Sequence, residues 1–395
     1  LHVAGVIPTA SEVRAFLGDE SPDKRRRVVE ELLAGPGYVT NFTSYWRRVM
    51  MPEVAADFQA RFLVPGFEGW LRQQLIENKP YDEMVREILT VPLDGNRNNF
   101  YIRAGEASPL AFYQAKQIKP ENLAAATSRM FLGIRIECAQ CHNHPFDSWT
   151  REQFWSYAAF FAGIERGEGE GILGRVRELF DRRELAIPDT DTVVQAAYLD
   201  GREPQWRYRV GPRKTLADWM TSEENPYFAR AAVNRVWGHF FGRGLVDPVD
   251  DFGGGNHPSH PELLDELAAE FAAHDFDLKF LIRAITASEA YQLTSRQTHE
   301  SQEYPELFAR MQVQGLTAEQ IFLSLGRATG YYEPYQSRNP FAFNAGTPRA
   351  EFLETFEDES GSPLDRQTTI LQALAMMNGQ FISQATSLGE SNTLA

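Results

Sequence analysis

The sequence predicts a mainly α-helical, multi-helix, two-part architecture with a small β insert around residues 167–212. Two blocks of capped, amphipathic periodicity, 1–166 and 213–395, carry the helical part of that reading. Between them the helical period gives way to short alternating runs with turn signals, the pattern of strands. A chain of 395 residues is long enough for two or three domains with ordinary cores.

In the first block, "TASEVRAFLGD" opens on the cap-type residues Thr9 and Ser11 and closes near Gly18. "SPDKRRRVVEELLAGPG" offers Ser21 as a cap, Pro22 at the first helical position and Gly35-Pro36-Gly37 as a stop. "FEGWLRQQLIENKPYDEMVREILTVP" reads as two helices broken at Pro80. "KPENLAAATSRMFLGIRI" is helical and leads into the two cysteines of the chain; "TREQFWSYAAFFAGI" follows with a Thr150/Gln153 capping box. In the insert, "DTVVQAAYLDGREPQWRYRV" sets Asp200-Gly201 between alternating runs, a hairpin signal. Helices resume with "TLADWMTS", "PYFARAAVNRVWGHFFGRG", "SHPELLDELAAEFAAHD" and "LKFLIRAITASEAYQL". "YYEPYQSRNPFAFNAGTPRA" reads as loop and "RQTTILQALAMMNGQFISQAT" as a late helix.

Lysine and arginine number 39 against 54 acidic residues, a formal net charge of -15. Nucleic acid is therefore not expected as a main partner, because phosphate binding needs a basic face. The run Lys24-Arg25-Arg26-Arg27 opens an amphipathic stretch and reads as a solvated helix face. No apolar run reaches the roughly 18 residues of a transmembrane helix.

The chemistry concentrates in "GIRIECAQCHNHPFDSW". Cys138 and Cys141 stand three apart with His142 directly after, the C-x-x-C-H attachment signature of c-type haem. Cysteines three apart lie on one side of a helical turn, where their sulfurs can form thioethers with the two vinyl groups on one porphyrin edge. The next residue then carries its imidazole under the ring, as proximal ligand to the iron. Three other readings stand beside this one. The pair forms a plain or redox-active disulfide, although such a redox motif expects a βαβ context. The pair contributes to a zinc site, with His142 or His144 and the distant His257 or His260 of "NHPSHPE" completing four ligands. Or the thiols are reduced and structural.

His144 and Asp147 follow closely; they pin the loop, bind a second metal together, or support a propionate. Phe146, Trp149, Phe154 and Trp155 are candidate apolar walls for a haem plane, or core residues at helical spacing. For the sixth iron position His260 is the first candidate, then His239, then Met130; the competing role of His260 is a helix start, with Pro261 in the first turn. Gly253-Gly254-Gly255 permits close backbone approach, so His260 or its neighbours are expected to face the His142–Asp147 loop.

"FLGIRIECAQCHNHPFDSWTREQFWSYAAFFAG" resembles the signature of a planctomycete-specific cytochrome-like domain of unknown function. "NPYFARAAVNRVWGHFFGRGLVDPVDDF", "PSHPELLDELAAEFAAHDFDLKFLIRAITASEAYQLTSR" and "TTILQALAMMNGQF" resemble the C-terminal domain that follows it in that family. Cys138, Cys141, His142, His144, Phe146 and Asp147 match the first motif; Asn234, Arg235, Trp237, His260, Pro261 and Glu262 match the later blocks, while His257 stands where many members carry proline. The resemblance implies a bacterial protein of the periplasm or the secreted fraction. The expectation is then an extracytoplasmic protein with one covalent haem c, serving electron transfer or haem-dependent redox chemistry with a redox partner protein or small-molecule donor or acceptor. A zinc-dependent hydrolase acting on an extracellular polymer and a non-catalytic surface or assembly module are the alternatives.

Overall fold

A computed structural model describes residues 1–54, 58–93, 107–166, 176–331, 347–356, 364, 368–387, 389, 391 and 393. The chain is mainly helical, with two small two-stranded sheets. It divides into two compact units that interleave in sequence: Leu1–Ser44, His239–Arg243 and Arg283–Ala395 form one; Tyr45–Gly238 and Gly244–Ile282 form the other.

Local capping chemistry places several of the predicted helices. Thr9 accepts the Glu12 amide while Glu12 reaches back to the Thr9 amide, starting the helix Ala10–Gly18. Thr150 and Gln153 do the same for Arg151–Ala158. Pro80 separates Val64–Ile76 from Tyr81–Thr90 as expected. Other boundaries differ. The second helix begins at Lys24, with Asp23 rather than Ser21 at its cap. Gly35-Pro36-Gly37 does stop the second helix, which ends at Ala34 with Gly35 as C-cap, but Pro36 at once opens the next, Pro36–Met50, where its missing N–H costs nothing. The late helical stretch is likewise split at Gly379 into Ile370–Asn378 and Gln380–Ala385. Most of "YYEPYQSRNPFAFNAGTPRA" lies outside the described residues, and Pro348–Phe356 is helical.

The first unit has an aromatic core in which Phe322 packs on Phe381 with ring centroids 4.3 Å apart and Phe352 stacks on Phe356 at 4.2 Å. A second cluster joins His2, Phe42, His239, Phe240 and Tyr291. His2 Nδ1 lies 2.9 Å from the Tyr291 hydroxyl, and His239 Nε2 donates to the His2 carbonyl at 2.9 Å.

In the second unit Trp46, Tyr81, Phe228, Phe271 and Phe276 form the centre, with Tyr81 stacked on Phe228 at 5.4 Å. Burial lowers the Lys116 amine below its ordinary range, offset only in part by Glu53 at 2.8 Å; the amine also donates to the Met50 carbonyl at 2.7 Å. The insert contributes two antiparallel ladders. β1 (Ile164–Arg166) pairs with β2 (Val176–Glu178), and β3 (Glu184–Ala186) with β4 (Val193–Gln195) in the register Leu185 opposite Val194. The start of the insert, 167–175, lies outside the described residues. Asp200-Gly201 makes a tight turn, with Gly201 at φ +79°, but no strands flank it. Pro204 follows within three residues and cannot donate to a ladder. Instead Phe160, Tyr198 and Trp219 stack in series, at 5.3 and 4.6 Å.

The insert is fastened to the helices by one buried ion pair. Arg213, on Pro212–Met220, donates to both Glu178 oxygens, to the carbonyls of Leu89 and Val91 and to the Tyr113 hydroxyl. The side chains of Arg213 and Glu178 are 5% and 7% exposed, so neither can fall back on water. Glu178→Gln strands a buried guanidinium and is expected to cost about 3–5 kcal/mol in urea denaturation.

A second prediction concerns His2. Burial, helped by neighbouring His239, pushes its pKa down from 6.5 to about 3. The unfolded chain takes up this proton as pH falls below 6.5 and the folded chain does not, so stability is full above pH 6.5 and declines steadily toward pH 3. His2→Gln is expected to remove on the order of 1–2 kcal/mol of the stability difference between pH 8 and pH 5, read as a difference between the two proteins' denaturation curves.

Candidate functional site

The cysteine motif sits on a strap that is built before it and braced from behind. The helix Pro120–Thr127 ends in a π turn over Ser128–Leu132, and Gly133 closes it at φ +69°. A β-carbon at Gly133 would lie 2.6 Å from the Phe252 ring, and the Gly133 carbonyl accepts the Phe252 amide at 2.8 Å. Ile134 and Ile136 are then buried, with Arg135 between them facing Asp250. Glu137–Gln140 forms a single 3-10 turn.

That turn sets out the thiols. Cys138 lies within it and Cys141 is its C-cap residue. Both are unpaired and exposed, whereas Ala139 between them is buried and anchors the turn. The Gln140 carbonyl accepts from Trp155 Nε1 at 3.0 Å and Arg151 Nε at 3.4 Å, fixing the turn to the helix that follows. His142 is exposed, and its Nδ1–H donates to the Asn143 carbonyl at 2.7 Å, which leaves Nε2 with the lone pair.

Asp250 supports the strap. Its carboxylate accepts from Arg129 Nε at 2.6 Å and from Arg135 at 3.0 and 2.6 Å. Burial alone would raise the Asp250 carboxyl; the arginines, Arg129 foremost, hold it below its ordinary value. Glu137, beside Cys138, is shifted the other way, raised by burial with Arg129 3.9 Å away. Asn234 positions the Asp250 segment from its helix: it donates to the carbonyls of Val246 and Val249 and accepts the Val246 amide.

His144 and Asp147 pin the loop. The His144 amide donates to the Trp149 carbonyl at 2.7 Å, and its Nδ1 accepts the Phe146 amide at 3.3 Å. Asp147 accepts the Ser148 amide at 2.6 Å and, from more than a hundred residues on, the Gly254 amide at 3.2 Å. A β-carbon at Gly253 would come within 2.8 Å of an Asp147 carboxylate oxygen, so a larger residue there would have to displace the carboxylate. The approach expected of the triple glycine is therefore made by Gly253 and Gly254 on Asp147. His260 is the N-cap residue of Pro261–Ala273, with Nδ1 3.1 Å from the Ser259 hydroxyl.

The remaining candidates are scattered. His239 belongs to the first unit and is held by the His2 carbonyl. Met130 is buried in the π turn. Phe154 and Trp155 are core residues, Phe146 is 90% exposed, and the Trp149 indole N–H is buried without a hydrogen-bond partner among the described residues. Among those residues no three of His, Cys, Asp and Glu converge into a metal-binding group, so the zinc set drawn from Cys138, Cys141, His142, His144, His257 and His260 is not assembled. Haem attachment asks for less convergence, since the thiols bond to the porphyrin edge and only the imidazole meets the metal. The paired thiols and the oriented imidazole fit that donor set.

The residues that sequence reasoning missed are Arg129, Arg135, Asp250 and Gly133. Gly133 had a signal, a glycine directly after a helical run. Asn234 was named from the resemblance of its block, though not for this supporting role. The ion pairs, spanning 115 and 121 positions, had no signal.

Fold and site define a mainly helical protein with an exposed Cys-x-x-Cys-His turn braced by a distant acidic segment. The chain belongs to the proteins that join two domains in series: residues 1–166 match PSCyt2, described as a protein of unknown function (DUF1549), and residues 212–394 match PSD1, described likewise (DUF1553). No curated protein and no solved structure matches it.

Gly133→Ala tests the brace. It forces a non-glycine residue into the left-handed region and against Phe252, and is expected to lower stability by roughly 2 kcal/mol or more in urea denaturation.

Proposed function

We propose that Cys138 and Cys141 attach one haem c covalently, that His142 Nε2 is its proximal ligand, and that the protein serves extracytoplasmic electron transfer. The observation that carries the reading is two unpaired, exposed thiols, one on a 3-10 turn and one at its C-cap, followed directly by an imidazole whose other nitrogen is already tied to a carbonyl. A hydrogen bond of that kind fixes ring orientation and tautomer and raises ligand basicity. Haem, when bound, supplies one-electron exchange at a potential set by its ligand and surroundings. The protein's own part is to hold the turn. Ala139, Trp155 and Arg151 keep it from rotating; Asp147 on Gly254 and Asp250 on Arg129 and Arg135 fix its two ends. The exposed turn suits exchange with a redox partner at the surface. No helix among the described residues is long and apolar enough to cross a membrane.

Expression alongside a periplasmic haem-attachment system is expected to yield an intact mass heavier by one haem and a Soret band that survives acid-acetone extraction. His142→Ala should keep the added mass and shift the Soret and visible bands. A bare polypeptide mass from that host overturns the reading; a mass two hydrogens short would point instead to a Cys138–Cys141 disulfide.

A further inference from the structure

The insert between the two matched domains carries a surface that neither family model includes, since residues 167–211 fall outside both matched ranges. Its anchor is Trp206, which leans on Phe160 at 6.1 Å and carries the Arg183 guanidinium 4.2 Å from its ring. Beyond it the chain turns back, the Val210 amide donating to the Arg207 carbonyl at 3.2 Å, and Arg209 is held at φ +60°. This presents Tyr208, 87% exposed, with the Arg209 guanidinium 5.2 Å from its ring. Phe180, 54% exposed, borders the loop: a β-carbon at Gly211 would lie 2.9 Å from it.

The charges of this face are unspent. Elsewhere in the insert the arginines are paired: Arg177 and Arg182 with Glu165, Arg202 with Asp200, Arg213 with Glu178. Among the described residues Arg183, Arg207 and Arg209 make no ion pair, and the Arg183 Nε is buried without a hydrogen-bond partner. On a chain of net charge -15, three such unpaired guanidinia mark a site for an anion: Arg209 over the exposed Tyr208 ring, Arg183 over the half-buried Trp206 ring, and Arg207 between Trp206 and Tyr208 in sequence.

We propose that this face binds an anionic polysaccharide, with sugar C–H faces on Tyr208 and Phe180 and carboxylate or sulfate groups on Arg207, Arg209 and Arg183. Guanidinium forks match the oxygen pairs of such groups. Nucleic acid fits less well, because its affinity grows with the number of phosphates neutralised and three arginines on an acidic chain neutralise few. A protein partner would use the same residue types, since tyrosine, phenylalanine and arginine are enriched at interface cores; such a partner leaves the chain unretarded by every polysaccharide probe. The proposal is independent of the cysteine turn and of any cofactor there.

Affinity electrophoresis of the full chain tests it with four probes: polygalacturonate for carboxylates, chondroitin sulfate for sulfates, dextran as the neutral polymer and oligothymidylate as the nucleic acid. Retardation by at least one charged polysaccharide, and none by dextran, is expected. The triple variant R207S/Y208S/R209S should bind roughly tenfold more weakly with an unchanged melting temperature, because all three side chains are exposed. Phe180→Ser, on the other rim, should weaken binding without touching a charge. No retardation by either charged polysaccharide, binding to oligothymidylate as strong or stronger, or full binding by the triple variant overturns the proposal.

Discussion

The carboxylate of Asp250, held between Arg129 and Arg135, is the interaction on which the cysteine turn depends. Arg129 belongs to the π turn that ends the preceding helix, and Arg135 to the extended stretch between two buried isoleucines. One carboxylate thus fixes both ends of the bend around Gly133. Without it, Arg129 would be left with Glu137 and Glu53, and Glu137 is itself pushed toward its neutral form by burial. The arrangement costs desolvation and returns position; buried ion pairs are retained for geometry more readily than for net stability.

The thiols are unusual by the same measure. Free cysteine is among the most buried of residue types, yet both cysteines here face solvent while the alanine between them is buried. The buried partners of the turn are a backbone carbonyl, a tryptophan indole and an arginine, none of which touches sulfur chemistry. The turn is therefore a rigid platform with its reactive atoms outward, which suits a covalent partner arriving from outside.

Much of the helical fold was legible in the sequence because its causes are local. Thr9 with Glu12 and Thr150 with Gln153 announce helix starts within four residues, and Pro80 announces a break on its own. Gly35-Pro36-Gly37 announced the end of one helix but not that Pro36 begins the next, because a proline that follows one helix and one that opens another look alike until the chain beyond is placed. Asp200-Gly201 has the composition of a hairpin, but beyond the backbone hydrogen bond from Tyr198 to Arg202 its flanks form no ladder, and Tyr198 instead stacks between Phe160 and Trp219 from outside the window. At the site, Cys138, Cys141 and His142 announce themselves by spacing. Their supports do not, because an ion pair between residues more than a hundred positions apart leaves no periodicity to read.

The brace has a consequence in time. Asp250, Phe252 and Gly254 all contact the strap, and more than a hundred residues separate Cys141 from the last of them. Until that later segment docks, Cys138 and Cys141 belong to an unbraced stretch that a modifying enzyme can approach; afterwards they belong to a fixed turn. The compartment in which residue 254 docks therefore sets where the cysteines can still be reached as an open chain.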